Sequence, residues 1–191
     1  MIKSDASPDE QSSPFYIANQ HFCESVEKFI RINNGKSKGT FNAWAYLIQG
    51  TIKKELNWFI KYRKATLTGS KGSSNSKDQL LIVVAEWTCN YPALKGEQFS
   101  IVPTSFWNSI KMLLINSNKK LKGHENYIIK NSGQKSDVLI DVLKTLKPLL
   151  ESGKILSIIH NKYELKIMIR TENQHFEYLS TLIEKIHPSH H

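Results

Sequence analysis

The sequence is poor in cysteine and lacks the long apolar runs of a helical membrane protein. Its 191 residues contain two cysteines, Cys23 and Cys89, too few for the disulfide framework of a small secreted domain. We expect both to be small buried hydrophobic residues. The longest apolar run, Leu80 to Ala85, has strand length, whereas a membrane-spanning helix needs about 20 apolar residues. The polar first residues lack the layout of a secretory signal, so we expect a cytoplasmic protein.

Arginine is scarce although the chain is basic. Only Arg31, Arg63 and Arg170 occur among 26 basic residues, which outnumber the 17 acidic residues and give a net charge of +9. Such an excess favours an acidic partner, whether nucleic acid, anionic lipid or acidic protein. Specific recognition of phosphates and bases, however, relies on the planar guanidinium group of arginine. The lysine-rich surface is therefore weaker evidence for nucleic-acid binding than the net charge suggests.

No catalytic, metal-binding or nucleotide-binding motif is present. The glycine pairs of Gly35–Gly39 and Gly69–Gly72 have neither the spacing nor the flanking residues of a P-loop or a dinucleotide fingerprint. His21 and Cys23 would point about 200° apart on a helix, so they cannot share a metal ion. The histidines of residues 187–191 are expected to belong to a frayed terminus. We therefore expect no metal and no cofactor.

Glu86 and His160 are polar residues beside apolar strands. Glu86 follows the apolar run that starts at Ile82. A carboxylate buried there would have a raised pKa and could act as a general acid or base. Its place near a strand end fits a solvent-exposed charge equally well. His160 stands where a hairpin turn is predicted, and we expect it to be exposed.

The composition is typical of a folded domain. Apolar residues make up 40% of the chain and charged residues 23%, which excludes a disordered protein. A chain of this length can bury roughly 70% of the surface that its unfolded form exposes, without a metal or a disulfide. We expect a flexible tail at residues 1–14, a single α+β domain at 15–187 and a frayed C-terminus at 188–191.

The first third of the chain shows helical spacing of its apolar residues. This spacing predicts a helix from about Ala18 to Ile32, ended by a left-handed turn at Asn33–Gly35. It also predicts a second helix that Thr40 caps and that ends near Lys61–Lys64, where it merges into a strand. Gly50 interrupts this second helix, at a cost of about 1 kcal/mol relative to alanine, so we expect a kink or a close helix crossing there.

The middle of the chain changes to the shorter period of strands. Tyr62–Thr68 and Leu80–Thr88 are predicted to pair as an antiparallel hairpin across the glycine- and serine-rich loop Gly69–Lys77. Three further elements are predicted in order: a strand at Gln98–Val102, a helix at Phe106–Leu114 and a strand at Asn126–Lys130.

The last third predicts two helices and a hairpin. A helix is capped by Ser136 and stopped by Gly153, with Pro148 bending or fraying its end. Lys154–Ile159 and Glu164–Arg170 form the hairpin, whose turn contains Asn161 in a left-handed conformation, and Phe176–Ile186 forms the last helix. The order is ααβββαβαββα. It predicts an α+β fold in which helices pack on an antiparallel sheet of about five to six strands.

One part of this pattern carries a resemblance. A strand at Tyr127–Ile129, a helix at Val138–Leu150, a hairpin at Ile155–Ile169 and a helix at Phe176–Ile186 together resemble the soluble part of certain uncharacterised bacterial membrane-anchored proteins. The resemblance covers about a third of the chain and rests on apolar spacing. The two membrane helices that usually precede such domains are not found in this sequence. The resemblance implies a fold class and no activity.

The tryptophans bear on the choice of function. Trp44, Trp58, Trp87 and Trp107 fall on the predicted apolar stripes or beside them. We therefore expect them to be core or interface residues rather than a surface on which bases stack.

Three functions are left open by the sequence. The first is a non-catalytic protein-interaction or regulatory module with a protein partner or self-association, because no catalytic constellation accompanies the apolar stripes. The second is a nucleic-acid-binding protein whose basic loops contact phosphates. The lysines of these loops are Lys71, Lys77, Lys119, Lys120 and Lys122. The third is an enzyme with Glu86 in its site.

Overall fold

The structure is a computed structural model that describes residues 1–70, 77–91, 93, 97–104, 119–131 and 136–186. Within these residues ten strands and four α-helices are present, which confirms the predicted α+β class. The strands are β1 (Ile2–Ser4), β2 (Lys36–Phe41), β3 (Tyr46–Lys53), β4 (Asn57–Ser70), β5 (Lys77–Cys89), β6 (Phe99–Pro103), β7 (Lys119–Leu121), β8 (His124–Asn131), β9 (Ile155–His160) and β10 (Leu165–Arg170). The helices are α1 (Pro14–Ile32), α2 (Asp137–Thr145), α3 (Lys147–Glu151) and α4 (Phe176–Lys185), and Glu10–Ser12 forms a 3-10 turn.

The strands of the described residues form one mixed sheet in the order β1-β2-β3-β4-β5-β10-β9-β6-β8-β7. The sheet is mostly antiparallel, whereas β1 runs parallel to β2. The predicted sheet of five to six strands is therefore too small. The predicted element order is also wrong, because it places a second helix where parts of β2, β3 and β4 lie.

The residues predicted to form the second helix, from Thr40 to Lys61–Lys64, instead contain the end of β2, all of β3 and the start of β4. Their apolar residues match a helical period, but within β3 buried and exposed side chains alternate with a period of two. Gly50 is one of the buried positions of β3 and lies beneath Ile30 of α1. The close approach expected at Gly50 is therefore between helix α1 and strand β3. Glycine permits it because it has no side chain that would keep the two elements apart.

The chain divides into two compact units. Unit 1 contains Met1–Lys53, Phe59–Ala85 and Arg170–Gln174, and unit 2 contains Lys54–Trp58, Glu86–Ile169 and His175–His191. This division does not test the predicted single domain at 15–187. Residues 1–14, for which a flexible tail is predicted, include β1 and the 3-10 turn.

Helix α1 covers one face of the sheet in unit 1. The Phe22 ring of α1 stacks on Tyr46 of β3 at 4.7 Å between centroids and meets the edge of Tyr62 of β4 at 5.5 Å. Tyr16 packs on Phe41 of β2 at 5.4 Å. We call the side of β1–β4 that these rings occupy the covered face. The opposite side of β1–β4 within unit 1 is the open face.

Unit 2 has its own core, in which α2 packs against α4. Tyr127 of β8 is fully buried and donates its hydroxyl to the carbonyl oxygen of Ile155 at 3.1 Å. The predicted long helix is broken at Leu146 into α2 and α3, and Pro148 lies in the first turn of α3. This position suits proline, because the first N–H groups of a helix have no partner within it.

Two helix ends confirm the predicted stop signals. Asn34 is left-handed, with φ of 57°, and the N–H of Gly35 donates to the carbonyl oxygen of Ile30 at 2.8 Å. Gly153 is also left-handed, with φ of 67°. Ser136 lies at the N-cap of α2, but its side chain makes no cap hydrogen bond, so that part of the prediction is wrong.

The β9–β10 turn is correctly located, although its predicted geometry is wrong. Asn161 is not left-handed, since the non-glycine residues with positive φ in the described chain are Asn34 and His175. Its side-chain oxygen instead accepts the N–H groups of Tyr163 at 2.8 Å and Glu164 at 3.1 Å. Asparagine closes the turn through this hydrogen bonding rather than through a strained backbone.

Two further predictions concern other parts of the chain. The helix predicted at Phe106–Leu114 and most of the loop Gly69–Lys77 lie outside the described residues.

Among the described helices, none combines the length and the apolar character needed to traverse a bilayer.

Candidate functional site

The lysines predicted to bind phosphates lie in different parts of the structure. Lys119 and Lys120 are exposed in β7, and Lys122 is exposed in the turn that follows, all within unit 2. Lys77 is the first residue of β5, and Lys71 lies outside the described residues. Binding by these five lysines stays a prediction.

Glu86 lies in an ion pair. Its carboxylate is 3.1 Å from the Nζ atom of Lys166, and the two side chains are 27% and 30% exposed. An acid–base role would use a buried carboxylate that has no cation beside it. Glu86 is partly exposed and is paired with Lys166, so its geometry adds no support to the enzyme hypothesis.

His160 is buried, which corrects the prediction of an exposed turn residue. It is the last residue of β9, is 1% exposed, and lies opposite Phe99 of β6 and Leu165 of β10. Its Nε2 atom is 3.1 Å from the carbonyl oxygen of Tyr91. A carbonyl oxygen can only accept, so Nε2 carries the proton and the neutral ring leaves Nδ1 as an acceptor.

The surroundings of His160 explain its electrostatics. The ring stacks on Tyr91 at 5.6 Å and meets Phe99 edge-on at 5.3 Å. Within the described residues, buried Nδ1 has no hydrogen-bond partner. Burial lowers the pKa of His160, because a charged imidazolium would lose its hydration there. The ring is therefore a neutral part of the core at physiological pH.

Both cysteines are buried and free, as the sequence predicts. Burial raises the pKa of the Cys23 thiol and of the Cys89 thiol to about 12. A thiol with such a pKa holds almost no nucleophilic thiolate at neutral pH. Neither cysteine is a candidate for a reactive site.

The open face of unit 1 gathers cationic side chains. These side chains belong to Lys3, Lys36, Lys38, Lys53, Lys61 and Arg63. All are exposed except Lys61, which is half-buried. Within the described part of the chain, no carboxylate lies within salt-bridge distance of any of them. We call these six residues the cationic set.

Strand alternation and register place the cationic set on one face. Lys36 and Lys38 alternate with Ser37 and Gly39, and Phe41 of the same strand points to the covered face. Lys3 of β1 lies beside Thr40 of β2. In β4, Lys61 and Arg63 alternate with Ile60 and Tyr62, of which Tyr62 contacts α1. Lys53 occupies one of the exposed positions of β3, which alternate with buried ones. Side chains two apart on a strand share a face, so the six cations project from the same side.

A shallow groove runs along part of the open face. Its first part is lined by Lys38, Gly39, Thr40, Leu47 and Gln49. Thr40 and Leu47 are cross-strand partners and also line the second part, which reaches Asn42 and Ala45 of the β2–β3 turn. Arg63 and Lys64 line that second part, together with the carboxylate-bearing Asp5. The groove is therefore lined by three cationic side chains and one carboxylate among polar and apolar residues.

Exposed apolar side chains lie among these cations. Leu47 of β3 and Phe59 of β4 are both more than two-fifths exposed and stand on the open face. In the β2–β3 turn, Trp44 is 57% exposed, whereas Trp58 and Trp87 are fully buried as predicted. Trp44, predicted to be a core or an interface residue, lies outside the core, because position 44 belongs to a turn and not to a helix. Trp107 lies outside the described residues.

Sequence reasoning missed this site because its cations are spread between residues 3 and 63 and belong to four strands. The signal that could have found it is local alternation, as in Lys36-Ser37-Lys38 and Lys61-Tyr62-Arg63. This alternation becomes visible only when residues 36–63 are assigned to strands, since a helix would place such pairs on different faces.

Comparisons with protein-family models, curated proteins and solved structures found no match to this chain. The resemblance to the soluble part of bacterial membrane-anchored proteins therefore stays a prediction.

Proposed function

We propose that this protein is a non-catalytic binding module and that the open face of unit 1 binds a nucleic-acid strand through its phosphates. The observation that carries the proposal is the cationic set, six like charges on one face of four neighbouring strands. Like charges on one face repel one another, and the phosphates of a bound polyanion would neutralise them. Binding also releases the counterions of the polyanion, which favours association.

The spacing of the cationic set suits an extended polyanion. Residues two apart on a strand repeat about every 6.8 Å, and neighbouring strands lie about 4.8 Å apart. The open face thus offers a two-dimensional array of five ammonium groups and one guanidinium group rather than one charged point. Lysine contacts phosphates as a flexible point charge, so this array fits binding that does not depend on base sequence.

Salt dependence tests the proposal. A labelled oligonucleotide is titrated with the protein at several salt concentrations, and affinity is read from fluorescence anisotropy. The variant Lys36→Gln/Lys38→Gln should bind more weakly, and its plot of log affinity against log salt should be flatter by about one unit per lysine.

A matched control removes the same charge from the other side of unit 1. Lys28 and Arg31 are exposed on α1, so Lys28→Gln/Arg31→Gln lowers the net charge equally without touching the open face. This control should keep the salt slope of the unmodified protein. Equal losses in both variants would mean that binding depends on net charge alone, and the proposal would fail.

A protein-interaction module, the first of the functions that the sequence leaves open, is the second candidate. The exposed pair Phe15 and Trp44 favours it, since aromatic residues are typical of protein interfaces. Sedimentation of the purified protein at increasing concentration tests self-association. A concentration-dependent dimer that Trp44→Leu abolishes would support this candidate.

A further inference from the structure

We infer that the ligand of the open face is a single strand and that Phe59 of β4 stacks on one of its unpaired bases. This inference rests on the proposed function, because the cationic set must first hold the phosphates. It adds a residue that contacts a base and not the backbone. The internal bases of a duplex are already stacked on both faces, whereas an unpaired base offers its face to an aromatic ring.

Phe59 lies in one row with two residues of the cationic set. Ile60 and Tyr62 of β4 are 2% and 1% exposed, and Tyr62 contacts α1 on the covered face. Phe59, Lys61 and Arg63 alternate with these buried residues and therefore point to the open face. The phenyl ring is thus followed on the same side of the strand first by the ammonium group of Lys61 and then by the guanidinium group of Arg63.

The Phe59 ring is available to a ligand. Its side chain is 44% exposed. Within the part of the chain that the structure describes, no aromatic ring stacks on it and no cation lies over it. Strand β4 lies between β3 and β5, so the ring does not stand at the edge of the sheet. A base that covers this ring removes apolar surface from water, which favours binding.

A second exposed apolar side chain connects this row with the groove. Leu47 of β3 is 42% exposed on the open face. It lines the first part of the groove with Lys38 and the second part with Arg63. Strands β3 and β4 are neighbours in the sheet. A nucleic-acid strand that follows the groove past Leu47 therefore reaches Arg63, and from there the row of β4 leads over Lys61 to Phe59.

The chemistry of the row favours a single strand over other occupants. An apolar protein surface would bury Lys61 and Arg63 without counter-charges. A sulfated polysaccharide would supply anions but no flat group for Phe59. A single strand supplies both, because each nucleotide carries a phosphate and a base. Every base has a π-face, so the ring accepts strands of varied sequence.

The experiment compares two single strands of the same length: an oligothymidine and an abasic strand that has the same phosphates but no bases. Affinity is read from fluorescence anisotropy at one salt concentration. Phe59→Ala should bind oligothymidine about 5- to 150-fold more weakly, the effect of one stacked base. The same variant should bind the abasic strand as the unmodified protein does, which also shows that its open face is intact. Phe59→Tyr should keep most of the affinity for oligothymidine, because it keeps the ring.

Phe15→Ala is the matched control. It removes a phenyl ring that is 59% exposed on α1, the helix that packs on the covered face. This variant should bind both strands like the unmodified protein. A DNA duplex of the same length is titrated in parallel. The duplex should bind more weakly than oligothymidine, and Phe59→Ala should not change its affinity.

Each other result has a defined meaning. Equal weakening of oligothymidine and the abasic strand by Phe59→Ala would assign the ring a structural role and overturn this inference while the proposed function stands. A duplex that binds as tightly as oligothymidine would also overturn it. Vesicles of phosphatidylserine and phosphatidylcholine test a membrane surface. If Phe59→Ala weakens binding to these vesicles and leaves oligothymidine unchanged, the ring inserts into lipid and the inference fails. Absence of binding to every nucleic acid would overturn the proposed function itself.

Discussion

The buried amide of Asn19 in α1 accepts a hydrogen bond from the ammonium group of Lys64 in β4 at 2.9 Å. Asn19 is 2% exposed, and its amide nitrogen is used by two carbonyl oxygens of the β2–β3 turn. One side chain of α1 thus satisfies a cation from β4 and two backbone acceptors from the β2–β3 turn. This arrangement links helix packing, the geometry of the turn and the groove.

Substitution of Asn19 should lower the free energy of unfolding, because three hydrogen bonds of a buried side chain are lost. Asn19→Ala removes the partner of Lys64 and leaves two carbonyl oxygens of the turn without their donor, which costs about 1–3 kcal/mol. Urea unfolding followed by far-UV circular dichroism measures the loss. Gln20→Ala is the control, because within the described residues the side chain of Gln20 bonds only to Glu24 of the same helix. Equal losses in the two variants would contradict this role of Asn19.

Gly50→Ala should weaken the packing of α1 on the covered face. The added methyl group would overlap the Cδ1 atom of Ile30, so helix and strand must separate or Ile30 must change rotamer. We expect a loss of about 1–3 kcal/mol in the free energy of unfolding. In the double variant Gly50→Ala/Ile30→Val the overlapping atom is absent. The double variant should therefore lose less stability than the sum of the two single losses, and strict additivity would contradict the contact.

His160 should make stability depend on pH on the acid side of neutrality. Its pKa is lowered by burial from the ordinary value of 6.5, so below that pH the unfolded chain binds more protons than the native chain. The free energy of unfolding therefore falls as the pH drops, by up to about 1.4 kcal/mol per pH unit from this one group.

The comparison with His160→Gln isolates this effect. Glutamine keeps a donor for the carbonyl oxygen of Tyr91 and does not titrate, while His175, whose pKa is also lowered by burial, is present in both proteins. The stability advantage of the unmodified protein should shrink from about pH 7.5 to about pH 5.5. A constant difference in unfolding free energy across that interval would show that His160 is not a buried neutral group.

Cys23 and Cys89 should resist alkylation in the native protein. With a thiol pKa of about 12, roughly one thiol in ten thousand is ionised at about pH 8, and both side chains are also shielded from solvent. Mass spectrometry after treatment with iodoacetamide should find no adduct under native conditions and two in denaturant. Rapid labelling of either cysteine in the native protein would contradict its burial.

The sequence alone predicted those elements whose structure depends on residues that are close together in the chain. The apolar stripe of α1 and its left-handed end at Asn34, the β9–β10 hairpin and the stripe of α4 were all predicted. Each depends on a period or a stop signal within one segment of the chain. The buried state of Trp58, Trp87 and both cysteines also followed from their apolar surroundings.

Tertiary structure decided the secondary structure of the segments whose apolar pattern fits both the helical period and the strand period. Residues 36–59 satisfy both a helix and alternating strands, and the packing of Ile30 over Gly50 selects the strands. That choice moves Trp44 to an exposed turn and brings Lys36, Lys38, Lys61 and Arg63 to one face. Pairing of β9 with β6 likewise buries His160 against Phe99. Hydrogen bonds between strands distant in sequence set these outcomes, and no local propensity encodes which strands will meet.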